Sequence, residues 1–184
     1  LDHQAESLRV QGVRCERLSG EELRREEPSI HPEVLGGLSI DEDAQVEPRK
    51  LLAAVALGAE QEGVHFRTGS TVHAVESEGG KVRAVRLANE RIEAERVVVA
   101  AGSWTTQIPG LPISPESIFP VRGQMITTHT RPRLFRHVVF GAGGYVVTRP
   151  DGHVLCGSTL EHVGFTRGIS FGGMADVIAK ATRI

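Results

Sequence analysis

Apolar residues recur every three or four positions over Leu51, Leu52, Val55 and Ala59, a spacing that puts them on one buried stripe of a helix. Pro48 suits the first turn of that helix, and Gly63 stops it just after Glu62. A second stripe, made of Met174, Val177, Ile178, Ala181 and Ile184, predicts a helix at the end of the chain. Between the two the period changes. Residues 71–77 and 82–87 alternate and are joined by Glu78-Gly79-Gly80-Lys81, the signature of a β-hairpin. A short strand over 91–94 then leads into 95–104, E-R-V-V-V-A-A-G-S-W. Its valines and alanines form a continuous apolar run that ends at Gly102, which predicts a strand buried on both faces beneath helices. The small residues Ala100, Ala101 and Gly102 at its end let another backbone or a flat ligand come close. Ligands of open α/β sheets sit beyond the carboxyl ends of strands, which is where this run stops.

The remaining elements are shorter. Residues 2–11 read as a helix closed by Gly12, and 13–18 as a strand. Ser19, with Glu22 three positions on, forms a capping box for a helix that Pro28 ends. The charged residues of that helix read as a solvated face. Strands are predicted over 35–40 and 64–67. Pro109, Pro112, Pro115 and Pro120 break the chain within a dozen residues, which predicts a crossing between domains. After them, 121–130, 138–140, 144–148 and 154–158 read as strands of a second, mostly antiparallel sheet, with Pro150-Asp151-Gly152 as a hairpin turn.

Composition adds mainly exclusions. A net charge of -2 with 24% charged residues offers no basic face for nucleic acid or an anionic membrane surface. No apolar run approaches the ~18 residues of a membrane span, and the start lacks a signal-peptide layout. Cys15 and Cys156 lie far apart without a C-x-x-C motif and read as reduced thiols of a cytoplasmic protein, with one disulfide left open. The chain begins at Leu1 within one helical pattern and ends at Ile184 within another, as expected of an internal segment of a longer protein.

Several chemistries are missing from the pattern. Val75 stands where a P-loop before Gly80-Lys81 needs glycine, and there is no H-E-x-x-H, G-x-S-x-G or zinc-spaced Cys/His cluster. The eight histidines are scattered, so no metal site is expected. Gly141-Ala142-Gly143-Gly144-Tyr145-Val146 fails the dinucleotide fingerprint at its sixth residue and reads as a loop before a strand. No acid/base pair stands out, and no catalytic residue is assigned.

Six blocks, in order over nearly the whole chain, carry a resemblance: G-E-E-L-R-R-E-E-P (20–28), V-E-P-R-K-L (46–51), G-V-H-F with T-V-H-A-V (63–66 and 71–75), R-V-V-V-A-A-G-S-W (96–104), P-V-R-G-Q-M (120–125) and G-Y-V-V-T-R-P-D-G-H-V-L-C-G-S-T-L-E-H-V-G-F (144–165). The chain resembles the FAD-dependent D-amino-acid oxidase superfamily, and within it the glycine oxidases of bacterial thiazole (thiamine) biosynthesis. The resemblance implies a mixed α/β fold in which a Rossmann-like FAD-binding domain is interleaved with an antiparallel-sheet substrate domain. On this chain that gives 1–42 to the substrate domain, 43–118 to the FAD domain with its β-meander, and 119–184 to the substrate domain again. The glycine-rich pyrophosphate loop and the segment that closes over the flavin would lie outside it, leaving these residues alone incomplete at both ends and inactive.

By position, the resemblance assigns Val72 to a main-chain contact with the FAD adenine, and Ala101 and Gly102 to the small residues packed beside the cofactor. Trp104 matches the aromatic that follows, and reads either as a core anchor at a helix start or as a flavin contact. Tyr145, the chain's one tyrosine, matches a residue facing the substrate carboxylate, against the alternative of a core or rim position. Arg122 and Arg149 have the right chemistry for a carboxylate clamp but read as structural, since the family's substrate arginine lies further downstream. The implied activity is oxidative deamination of glycine or a small amine to the imine and keto acid, with ammonia and hydrogen peroxide as products and molecular oxygen as acceptor. An amine dehydrogenase of the same superfamily and a truncated, non-catalytic module are the alternatives, and a homo-oligomer is left open.

Overall fold

The computed structural model describes residues 1–184. In chain order the elements are α1 (Asp2–Val10), β1 (Glu16–Ser19), α2 (Gly20–Glu26), β2 (Gly36–Ser39), α3 (Pro48–Gln61), β3 (Ala74–Glu78), β4 (Lys81–Arg86), β5 (Arg91–Glu93), a 3₁₀ helix (Gly102–Gln107), β6 (Met125–His129), β7 (Val138–Gly141), β8 (Gly144–Thr148), β9 (His153–Gly157) and α4 (Phe171–Ala181). Three antiparallel sheets result, β1-β2, β3-β4-β5 and β6-β9-β8-β7, and none closes into a barrel. No helix is long and apolar enough to cross a membrane. Cys15 and Cys156 are free thiols, and burial raises the Cys156 thiol above its ordinary value.

The chain divides into two compact units. The first comprises Leu1–Glu47, Arg122–Glu161 and Arg167–Ile184. Its start is locally encoded: the Ser19 hydroxyl accepts from the Glu22 backbone N–H, while the Glu22 carboxylate accepts from the Ser19 N–H at 2.8 Å. The capping box predicted at the start of α2 is therefore formed. Alternation along β8 sends Val146 and Thr148 inward, where Val146 and Val154 pack with Ile30, Phe135 and Ile184. The Thr148 hydroxyl sits wholly inside and accepts from the Phe135 N–H at 3.2 Å. Glu27, at the end of α2, is buried as well. Its carboxylate accepts the N–H groups of Arg136 and His137 at 2.8 and 2.7 Å, and His137 Nδ1 lies 2.7 Å away. A carboxylate is held inside because main-chain donors replace its water.

The second unit comprises Pro48–Val121 and His162–Thr166. The hairpin turn between β3 and β4 has both glycines at positive φ, Gly79 at 56° and Gly80 at 75°, as a two-residue turn that matches the strand twist requires. Val75 and Ala84 are the buried residues of this sheet, together with Ala74 at its edge.

Three expectations fail in this unit, all for one reason. The run over 96–101 forms no strand, and Val98 is 92% exposed. Residues 64–67 are likewise irregular, with Val64 and Phe66 about half exposed. Helix α3 forms as predicted, yet Leu51, Leu52 and Val55 are exposed and none of its residues is buried. Apolar patterning encodes a propensity to be covered, and a buried parallel strand needs neighbours on both edges. No segment among these 184 residues supplies them.

Candidate functional site

The outer face of the four-stranded sheet carries the candidate site of the first unit. Met125, Gly157 and Tyr145 are cross-strand partners in one row over β6, β9 and β8. Since Val146 and Thr148 point into the core, Tyr145 lies on the opposite face. Its hydroxyl reaches Met125 Sδ at 2.9 Å, and its ring lies 5.8 Å from that of Phe140 on β7. Phe140 and Met125 are themselves 68% and 54% exposed, so the row forms an open apolar surface with one hydroxyl on it. The inner face differs. A cavity of about 410 Å³ there is lined chiefly by core side chains, among them Phe135, Val146, Val154 and Ile184, with no convergent charged set.

Immediately beyond the Met125–Gly157 pair the two strands are held by side chains. Gln124 and Thr159 are buried, the Thr159 hydroxyl accepts from the Gln124 N–H at 2.9 Å, and the Gln124 carbonyl accepts from the Thr159 N–H at 3.2 Å. Glu161 gathers three donors: the Thr159 hydroxyl at 2.5 Å and Gln124 Nε2 at 2.6 Å on one oxygen, and Arg122 Nη2 at 2.5 Å on the other. Those donors, the Thr159 hydroxyl foremost, then Arg122 and Gln124, hold the Glu161 carboxyl far below its ordinary range, at about 2. The network continues to α4, because Gln124 Nε2 donates to Ser170 Oγ at 3.0 Å and Gln124 Oε1 accepts from the Ser170 N–H at 2.9 Å. Ser170 is the N-cap of α4, its hydroxyl accepting from the Gly173 N–H at 3.1 Å.

Arg122 is thus engaged by Glu161, and Arg149 forms an ion pair with Glu47. Each arginine has its carboxylate partner within the chain, as a structural role requires.

The other residues singled out from the sequence lie in the second unit. Val72 sits in the extended stretch just before β3 and is 37% exposed. Ala101 is half-buried at the N-cap of the 3₁₀ helix that Gly102 opens. Gly102 adopts φ +53, a conformation that favours glycine, and a Cβ built on it would meet nothing within 4 Å. Trp104, at the start of that helix, is half-exposed, and its ring lies 5.7 Å from that of Phe165 at 40°. No three His, Cys, Asp or Glu side chains converge as metal ligands.

Residues 1–184, the whole chain, match the model of the DAO family, FAD dependent oxidoreductase. The chain belongs to this family. It is 33% identical over 173 residues to the bifunctional protein ThiO/ThiG of Synechocystis sp., covering 91% of this chain and 26% of that protein. It is 31% identical to the hydrogen cyanide synthase subunit HcnC of Pseudomonas aeruginosa, over 100% of this chain and 43% of that one. Among solved structures, glycine oxidase from Geobacillus kaustophilus matches with a TM-score of 0.86 at 26% identity, over 96% of this chain and 48% of that chain. The chain therefore spans between about a quarter and a half of the length of these proteins. Its fold is that of the glycine oxidases, mixing helices with antiparallel sheets.

FAD is the cofactor of the family. The residues at Ala101–Gly102 fit such a group, because the space beside Gly102 is filled by no atom of the chain and a flat ring can approach the backbone there. Sequence reasoning missed Gln124, Thr159, Glu161 and Ser170. The first lies in P-V-R-G-Q-M and the next two in the long block over 144–165, but partners 35 to 46 positions apart leave no local signal that they meet.

Proposed function

We propose that the full-length protein oxidises glycine or a similarly small amine to the imine, using FAD with molecular oxygen as the final acceptor, that water hydrolyses the imine to the keto acid and ammonia, and that hydrogen peroxide is released, in service of thiazole formation for thiamine. The observation that carries this reading is Tyr145, a hydroxyl in an otherwise apolar and open row of the sheet face, held by Met125 rather than used in the core. A hydroxyl so placed donates to a substrate carboxylate, and the apolar surround of Met125 and Phe140 strengthens that bond by thinning the water around it. When bound, FAD supplies the acceptor for the hydride leaving the substrate α-carbon. The chain's own residues then have two tasks, to orient the Cα–H and to offset the carboxylate charge. In this reading residues 43–118 belong to the FAD-binding domain, with Val72, Ala101, Gly102 and Trp104 along the cofactor. Residues 1–42 and 119–184 belong to the substrate domain. The similarity to ThiO/ThiG and to glycine oxidase supports the substrate class.

A second reading is an amine dehydrogenase of the same family, in which electrons pass to an acceptor other than oxygen; the similarity over the entire chain to a hydrogen cyanide synthase subunit supports keeping more than one reaction in view. One experiment separates them. The flavin-loaded full-length protein is mixed with glycine under air, and peroxide and flavin bleaching are followed together. Peroxide formed in step with turnover supports the oxidase; bleaching without peroxide supports the second reading, and no bleaching with any small amine defeats both.

A further inference from the structure

Gln124, Thr159 and Glu161 form a clamp whose nearest neighbour on the outer sheet face is the Tyr145 row. Met125 follows Gln124 directly and pairs with Gly157, and Thr159 lies two residues beyond Gly157. Just beyond β6 and β9 the two segments are tied at Gln124–Thr159, where the Thr159 N–H donates to the Gln124 carbonyl and the Gln124 N–H to the Thr159 hydroxyl, and again at Arg122–Glu161, where each N–H donates to the other carbonyl at 2.9 Å. Gly173 in the first turn of α4 is what lets Gln124 reach the Ser170 cap, since a Cβ there would come within 2.2 Å of Gln124 Nε2. The segment carrying Met125 is therefore fixed from three sides, and Met125 Sδ is the partner of the Tyr145 hydroxyl.

We infer that Glu161, acting through Gln124 and Thr159, is a positioning residue that sets where the Tyr145 hydroxyl meets the substrate carboxylate. The inference rests on the substrate-site reading of Tyr145 given above. The physical basis is the distribution of the bonds. A carboxylate collecting three side-chain donors fixes their geometry more tightly than any neutral acceptor, because charge-assisted bonds are shorter and about twice as strong. Loosening them lets the 124–125 backbone drift relative to Gly157, and a displacement of about 1 Å at a substrate-orienting group is enough to weaken binding. Replacing Glu161 by glutamine keeps the shape but turns an NH₂ group toward the Arg122 guanidinium or the Thr159 and Gln124 donors. One of those contacts then sets donor against donor.

The test is a double-mutant cycle on the FAD-loaded full-length protein, with E161Q, Y145F and the pair. Three quantities are read: KM and kcat for glycine, the dissociation constant of acetate from the perturbed flavin spectrum, and the melting temperature. The expected result is that E161Q and Y145F each raise KM and the acetate constant on the order of ten-fold with kcat within about two-fold. In the Y145F background E161Q should add less than about two-fold, since its path runs through the lost hydroxyl. Equal factors for E161Q in both backgrounds, or a lowered melting temperature with KM unchanged, overturn the positioning role and leave the Tyr145 reading intact. A Y145F protein with unchanged KM and acetate binding overturns the Tyr145 reading itself. Should E161Q fail to fold, T159V and T159S replace it: the valine removes the hydroxyl that Glu161 and Gln124 share, and the serine restores it. T159V must raise KM and T159S must not; the same KM in both sinks the proposal.

Discussion

The ring of Tyr145 lies across Gly157, its cross-strand partner, and occupies the space into which a Cβ at that position would project. A Cβ on Gly157 would come within 2.4 Å of Tyr145 Oη and 2.5 Å of Cζ. Glycine is thus required there by a side chain on the neighbouring strand, since its φ lies outside the left-handed region that favours glycine. Substituting Gly157→Ala should cost about 1–3 kcal/mol through overpacking and should push the tyrosine off Met125. Urea denaturation of the full-length protein measures the first effect. An alanine variant as stable as the parent would contradict the close approach.

Acid stability is expected to depend on Glu161. Its carboxyl is lowered from an ordinary value of 4.5 to about 2 by the Thr159 hydroxyl, Arg122 and Gln124. A group depressed in the folded state contributes stability that is complete above its unfolded value and is lost as pH falls through the folded one. The loss should run between about 4.5 and about 2. Urea midpoints followed across that window should fall less steeply for E161Q than for the parent, because the amide does not titrate. Parallel slopes would rule out the network as the source.

Glu27 offers a second buried carboxylate, this one serving main-chain donors. Truncating it in Glu27→Ala leaves the Arg136 and His137 N–H groups without their acceptor. The expected cost is about 2 kcal/mol or more, the scale of stranding buried donors. Glu27→Gln, which keeps one acceptor oxygen, should lose less. The ranking is checked by calorimetric melting, and an alanine variant no worse than glutamine would refute it.

Phe135, 3% exposed, is the aromatic member of the first unit's core and borders the cavity of about 410 Å³. Phe135→Ala adds to that cavity and removes a large buried surface, at an expected cost of about 3–5 kcal/mol. A loss below about 1 kcal/mol in chemical denaturation would mean that the core can collapse around the gap.

The parts of the fold that were legible in the sequence are those written in neighbouring residues. The capping box needs Ser19 and Glu22 alone, and forms. The turn between β3 and β4 needs two adjacent residues at positive φ, and Gly79-Gly80 supply them. Gly152 closes the β8–β9 turn at φ +92, with its N–H on the Arg149 carbonyl. The strands of the β6–β9 sheet fall within the predicted stretches to a residue or two, because alternation reports a sheet with one dry face.

What was misread was burial. Leu51, Leu52 and Val55 carry a helical stripe, and the valines over 97–99 read as a buried strand, yet Leu51, Leu52, Val55 and Val98 are exposed and Val97 and Val99 only half-buried. Periodicity reports which face of an element wants cover and is silent on whether a partner within the same residues provides it. The candidate site shows the same division. Tyr145 is singled out by its match to the family, while nothing near Glu161 in the sequence signals the donors it gathers.

By itself, then, the sequence determined the family, the cofactor class, the local caps and turns, and the face of each strand that turns inward. The family and its cofactor are carried by blocks in order over nearly the whole chain, while the caps and turns follow from residues within a turn or two of each other, where sterics and hydrogen bonding act without reference to the rest of the chain. The tertiary structure alone decided that Tyr145 rests on Gly157 and that Glu161 draws Thr159, Gln124 and Arg122 together, and that α3 and the 96–101 run stand open. Those outcomes depend on which distant segments meet, and a carboxylate's strength or a valine's burial is a property of that meeting.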